Sequence, residues 1–439
     1  MNRLLAVVAL GGLVAGGPSL LRAQGEFALA RTEAGQGDSL TTHHNPYLNA
    51  LAARPPGLRS VPEGLQDGAR YYSAPVGGKP VVVIVDRASP VRVFVDAGRK
   101  GSFVEVPRVK FPGGAGECWP VEVAAPGGKG TVRVRLEVWE KYLRVTPAEY
   151  YAGEVRLGDQ AYPAALVDEN MDGRYDTVLD IRDGSDVRRV SDTFAIDLDG
   201  NKAFGGHFPM SGERVPAPGA FCVKGRYYTV SPSPDGSTVR VEPLRAAMGT
   251  LDTRSPTVYV ALAGDGRAFC LEDGESKRPV PAGKYRVAET GLRKRDSPGF
   301  LWTLHGGLEM SEGFPAVVIA PGRTTAFPLG EPLTVKISAA PRSGDSVTLN
   351  LALVGAGGER YNPRPSQETI GGGAPPAITV YDRSGRVLAT GNFRTGCGYS
   401  CWYTWPLPNG FRGRYRVELK SCYGPFDVKL PSGAWYSVD

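Results

Sequence analysis

The 439-residue chain has few of the residues that build metal or redox centres: 4 histidines, 6 cysteines and 5 methionines, dispersed along its length. His43 and His44 are adjacent in a polar stretch, while His207 and His305 each stand alone beside a Gly-Gly pair. There is no Gly-x-Ser-x-Gly elbow, no His-Glu-x-x-His pair, no Walker loop and no dinucleotide glycine pattern, so the local signatures of several hydrolase and nucleotide-binding classes are missing. After the first residues no apolar run approaches the ~20 residues a membrane-spanning helix needs. Charge of either sign is modest too: the formal net is +6, falling to +4 without Arg3 and Arg22. With no basic cluster interleaved with aromatics, nucleic acid is excluded as a partner.

What is present begins with "MNRLLAVVALGGLVAGGPSLLRAQ", a positive start, a short apolar run and a small-residue cleavage pattern. It predicts a signal peptide over residues 1–23, a mature chain from Gln24, and a secreted, periplasmic or cell-envelope location. The 58 glycines and 37 prolines are spread through the chain and not set in repeats. Between them lie alternating runs such as "PVVVIVD" (80–86), "PVRVFVD" (90–96) and "TVRVRLEVWE" (131–140), in which Val132, Val134, Leu136 and Val138 share one face. Period two with β-branched residues is the signature of strands, and "SPDGS" between two such runs marks a hairpin turn. The expected fold class is all-β: several small antiparallel β-sandwich domains in tandem, immunoglobulin-like or prealbumin-like. The expected division is a mobile polar leader over 24–70, then β domains over 71–150, 151–252, 253–330 and 331–439. The phrases "GKYRV" and "GRYRV" predict that Tyr285 and Tyr415 plug sandwich cores.

The most specific local pattern is "LVDENMDGRYDT" (166–177), where Asp168, Asn170 and Asp172 alternate before Gly173. Alternate oxygen-bearing side chains converge on a hard cation, and the glycine permits the sharp turn. Asp176 takes the ninth position and Arg174 offers a carbonyl, but Leu179 stands where an EF-hand has its bidentate glutamate and neither flank is helical. The remaining oxygens must come from elsewhere, and the expected source is Asp197 and Asp199 in "AIDLDGNKAF". Calcium is the cofactor this implies, against the plainer reading of Asp, Asn and Gly as turn formers. Over 168–201 the chain carries nine aspartates and one glutamate against four arginines.

Residues 150–245, with this loop, the "DTFAIDLDGNKAF" strand and the "YYTVSPSPDGSTVRV" hairpin, resemble secreted bacterial all-β proteins whose loops read D-x-N-x-D-G. The loop is also similar to those of dockerins and thrombospondin type 3 repeats, which are tandem arrays as this chain is not. The resemblance implies an exported β-protein that binds calcium, and no particular activity.

The cysteines permit local disulfides in an oxidising compartment, with Cys422 expected to pair with Cys397 or Cys401, and Cys222 with Cys270. Near the C-terminus aromatics are dense, and Trp402, Tyr403 and Trp405 are candidates for stacking on sugar rings, against the alternative that they fill a core. The functional expectation is an exported non-enzymatic structural or interaction protein with a structural calcium site, whose partner is a glycan or another envelope protein. The alternatives are a carbohydrate-binding or adhesion module using the C-terminal aromatics, and a hydrolase with an acidic site at 168–199, where paired carboxylates are plentiful.

Overall fold

The computed structural model describes residues 25–34, 48–55, 58, 60–110, 117–126, 130–139, 142–178, 191–201, 204, 213–264, 267–306, 316–340, 345–367, 371–372, 374–395, 401–408, 411–420, 423–431 and 435–438. Every helix or strand element among them is a strand, so the all-β expectation is met. Pairing is antiparallel except where Met248–Asp252 runs beside Thr324–Ala326 and Leu333–Ala339 beside Val428–Lys429. Among the described residues no helix is long and apolar enough to cross a membrane.

A first unit is built from two sheets. Arg70–Val76, Lys79–Asp86, Arg92–Val95 and Val104–Val106 form one; Leu48–Asn49, Tyr142–Pro147, Thr131–Val138, Glu117–Ala124 and Val109–Lys110 form the other. Both contribute to one core that includes Tyr72, Val83, Val93, Val134 and Leu143. Alternation puts Val132, Val134 and Leu136 into that core, with Val138 at its margin.

The second unit is an eight-stranded sheet in the order Arg214–Ala217, Asp192–Ile196, Gln160–Val167, Glu149–Leu157, Gly25–Glu33, Thr238–Pro243, Arg226–Pro232, Gly219–Val223. The predicted hairpin is there, with Gly236 at φ 75° in its turn. Gly25–Glu33 corrects the expectation of a mobile leader over 24–70. Its first half pairs with 238–241 and its second with 149–153, so it lies in the middle of the sheet. Few of its side chains are buried, apart from Leu29 and partly Phe27. Backbone ladders on both sides, and not apolar burial, fix it in place. The rest of that stretch holds two further described elements, Leu48–Asn49 and Arg70–Val76, while residues 35–47 lie outside the described residues.

From Met248 onward one hydrophobic core runs through to Val438. The sheet that begins at Arg267–Leu271 passes through Gly283–Arg295 and Ser346–Val354 and ends at Val428–Lys429. It crosses the boundary expected at 330, so the blocks 253–330 and 331–439 share a sheet and a core. Tyr285 and Tyr415 are both sunk in that core, and the Tyr285 hydroxyl donates to the Pro281 carbonyl at 3.0 Å.

Candidate cation site in the acidic loop

Asp168 follows immediately on Gln160–Val167, and the chain then folds back on its own carboxylates. Asp172 N donates to Asp168 Oδ1 at 3.1 Å and Gly173 N to Asp168 Oδ2 at 2.8 Å. The Asn170 side-chain oxygen accepts from Asp172 N at 2.9 Å, and Asp172 Oδ1 accepts from Arg174 N at 2.8 Å. Two left-handed residues make so tight a wrap achievable, Met171 at φ 57° and Gly173 at φ 82°. A side chain at Gly173 would press on Val132 Cγ2, 3.2 Å from the added carbon.

The loop is anchored in two cores. Met171 is buried among residues of the first unit, and Gly77 N donates to the Asn170 carbonyl at 2.9 Å. Four residues on, Tyr175 is buried in the core of the second unit, edge-on to Tyr151, with its amide donating to the Pro234 carbonyl.

Sequence reasoning missed Asp192. The register of Gln160–Val167 against Asp192–Ile196 pairs Val167 with Thr193, which puts Asp192 opposite Asp168. Thr177 bridges the acids: its amide donates to Asp192 Oδ2 at 3.3 Å and its hydroxyl to Asp172 Oδ2 at 3.0 Å. Asp192 Oδ1 is buried with no hydrogen-bond partner, in a residue with 0% exposure. Asp168 is only 4% exposed. Burial, and then the charge of Asp172, push the Asp168 carboxyl up to about 7. Burial, then Asp168 and Asp172, push Asp192 well above the usual carboxylate range. Among the described residues, Arg174 forks onto half-buried Asp176 at 2.9 and 2.7 Å, and buried Arg214 pairs with Glu169 at 3.1 Å.

Asp168, Asn170, Asp172 and Asp192 are therefore neighbours, with the three carboxylates not all within 4.8 Å of one another, and three expected members lie apart from them. Asp176 is turned outward to Arg174. Asp197 falls opposite Pro163, to whose carbonyl its amide donates, five residues from Asp168 along the strand, or about 17 Å at the usual rise. Asp197 and Asp199 instead gather with Glu213, their oxygens within 4.8 Å of one another. There Glu213 Oε1 accepts from the amides of Leu198 and Asp199, Asp197 from Gly200, and Asp199 from Asn201.

The C-terminal aromatics separate as well. Trp405 has 0% exposure and packs against Phe411 and Tyr415, which corrects its candidacy as a ligand platform. Trp402 and Tyr403 are half-buried neighbours on Cys401–Pro406 and so point to opposite faces. The Tyr403 ring lies over Gly391, where an added carbon would come within 2.5 Å.

Cys222 and Cys270 are both free thiols, contrary to the expected disulfide. Their strands lie side by side, but the Cys222 thiol bonds to the Tyr227 hydroxyl and Cys270 is buried among Glu272, Glu289, Arg293 and Arg278. Cys397 and Cys422 lie outside the described residues.

No protein-family model and no curated protein matches this sequence. A solved structure of a DUF3823 family protein from Bacteroides ovatus is similar to part of it: 13% identity, 41% of this chain and 94% of that one, with a TM-score of 0.15.

Proposed function

We propose that this is an exported, non-catalytic structural or interaction protein of the cell envelope or extracellular space, and that Asp168, Asn170 and Asp172 hold a structural calcium ion. Export rests on the N-terminal sequence, and the likeness of 150–245 to secreted proteins with D-x-N-x-D-G loops supports both halves of the reading. The observation that carries it is burial: Asp168 at 4% exposure sits in a loop clamped between two cores by Met171 and Tyr175. Carboxylates so placed are out of reach of a polysaccharide chain, which favours an architectural role over acid–base hydrolysis. With Trp405 in the core, a glycan platform is left with Trp402 and Tyr403 alone, so another envelope protein is the favoured partner class. The test is calorimetric titration of the full chain with calcium after chelation, beside a polysaccharide hydrolysis screen. Saturable binding of calcium without hydrolysis is expected. Hydrolysis that is lost with Asp168→Asn would replace this reading with the enzymatic one.

A further inference from the structure

We infer that Asp192, from the neighbouring strand, is the ligand that completes the cation site opened by Asp168, Asn170 and Asp172; this rests on the calcium reading above. The loop lacks the late bidentate acid of an EF-hand, since Leu179 occupies that position. Sheet register supplies an acid from 24 positions down the chain, because Val167 pairs with Thr193 and brings Asp192 beside Asp168. Its Oδ1 is fully buried and unpaired, while Oδ2 receives only the long bond from Thr177 N. An unpaired buried carboxylate oxygen is costly unless a positive charge compensates it. The carboxylates of Asp168 and Asp172 act on it, so what neutralises it is positive, a proton in the empty site and a cation in the filled one.

The donor set selects a hard divalent ion. Three carboxylates and the Asn170 amide oxygen supply at least four oxygens, and backbone carbonyls and water fill the remainder of the about six to eight that calcium takes. The three carboxylates are spaced more widely than the trio of Asp197, Asp199 and Glu213, whose oxygens lie within 4.8 Å. Oxygens on one calcium, at about 2.3–2.6 Å from it, lie at most about 5 Å apart, so the three carboxylates draw together on binding, an adjustment that flexible calcium coordination tolerates better than the rigid octahedron of magnesium at about 2.0–2.1 Å. The ion then ties Asp192–Ile196 to a loop that is itself pinned to the first unit through Met171 and Gly77. Binding at Asp192 thus fastens the two units to each other.

The test titrates calcium chloride into the full chain and into Asp192→Asn, with Asp199→Asn as the contrast, and records melting in calcium and in chelator. Asp192→Asn is expected to weaken calcium binding at least tenfold, a loss on the order of that seen when even an outer-shell partner is removed. Asp199→Asn is expected to leave it unchanged. In chelator, Asp192→Asn should melt no lower than the wild type, because the amide replaces a buried acid that has no ion to neutralise it. Wild-type calcium binding with an unaltered Kd in Asp192→Asn would overturn the role of Asp192 and leave the loop reading standing. No calcium binding by the wild type would overturn both. An Asp192→Asn chain that is unfolded in chelator while the wild type is folded would show that the carboxylate is an internal structural group, and would also overturn the inference.

Discussion

The turns at 168–173 and 197–201 follow adjacent strands of one sheet and use the same residue types, Asp and Asn at alternate positions with a left-handed glycine. They do different things. In the first, Asp168 and the facing Asp192 are buried, an oxygen is left without a partner, and the flanking residues enter two cores. In the second, Asp197 is equally buried, but it accepts from the Gly200 amide, and Asp199, Gly200 and Asn201 are exposed. Alternate acids and a glycine are thus a turn-forming pattern in both places. What the next strand sets opposite leaves a buried carboxylate oxygen without a partner in the first.

The largest expected separation between the two comes from what surrounds them. Met171→Ala empties a filled position in the first core and should cost about 2–5 kcal/mol in chemical denaturation. Leu198→Ala, at the margin of the second core, should cost clearly less. Equal losses at the two positions would mean that the first turn is no more embedded than the second.

That embedding was only partly legible in the sequence. Alternation revealed the strands around Val83, Val93 and Val134, and "SPDGS" revealed a hairpin, because both signals are local. Gly25–Glu33 carries no comparable pattern, since its partners at 149–153 and 238–241 lie over a hundred residues away and hold it through backbone bonds. Asp168, Asn170 and Asp172 were readable from spacing. Asp192 was not, for its place is fixed by register, and a shift of that register would have presented a different residue. The same register removed Asp197, which spacing alone had made the natural partner. Nor did composition distinguish Trp405, deep in the core, from Trp402 beside it.

Calcium itself should discriminate next. At a hundredfold excess over Kd the ion stabilises the folded state by about 2.7 kcal/mol, a shift of a few degrees in melting temperature for units of this size. Asp172→Ala should abolish the shift, while Asp199→Ala should preserve it. Loss of the shift in Asp199→Ala with its retention in Asp172→Ala would reverse the assignment of the two turns.

The paired glycines offer a finer comparison. Gly173 and Gly200 have φ of 82° and 77°, so an alanine at either is strained by roughly 1–2 kcal/mol. Only at Gly173 does the added carbon meet a neighbour, Val132 Cγ2 at 3.2 Å; around Gly200 nothing lies within 4 Å. Gly173→Ala should therefore destabilise more than Gly200→Ala in urea titration, by the cost of displacing a core side chain. The reverse order would show that the first turn can relax away from the first unit.

The smallest effect belongs to the pair that the first turn sends outward. Arg174 and Asp176 bond through both guanidinium and carboxylate edges, with side-chain exposures of 60% and 25%. Solvent screens so exposed a pair, and its loss should not measurably move the melting temperature. Asp176 nonetheless occupies the ninth position of the loop, where calcium loops often place a ligand, commonly through water. If the arginine withholds this carboxylate from the ion, Arg174→Ala should tighten calcium binding slightly and Asp176→Asn should leave it as it is. If Asp176 leaves the arginine when calcium arrives, Asp176→Asn should weaken binding instead. Titration of the two variants side by side decides whether the ion is held by four side chains or five.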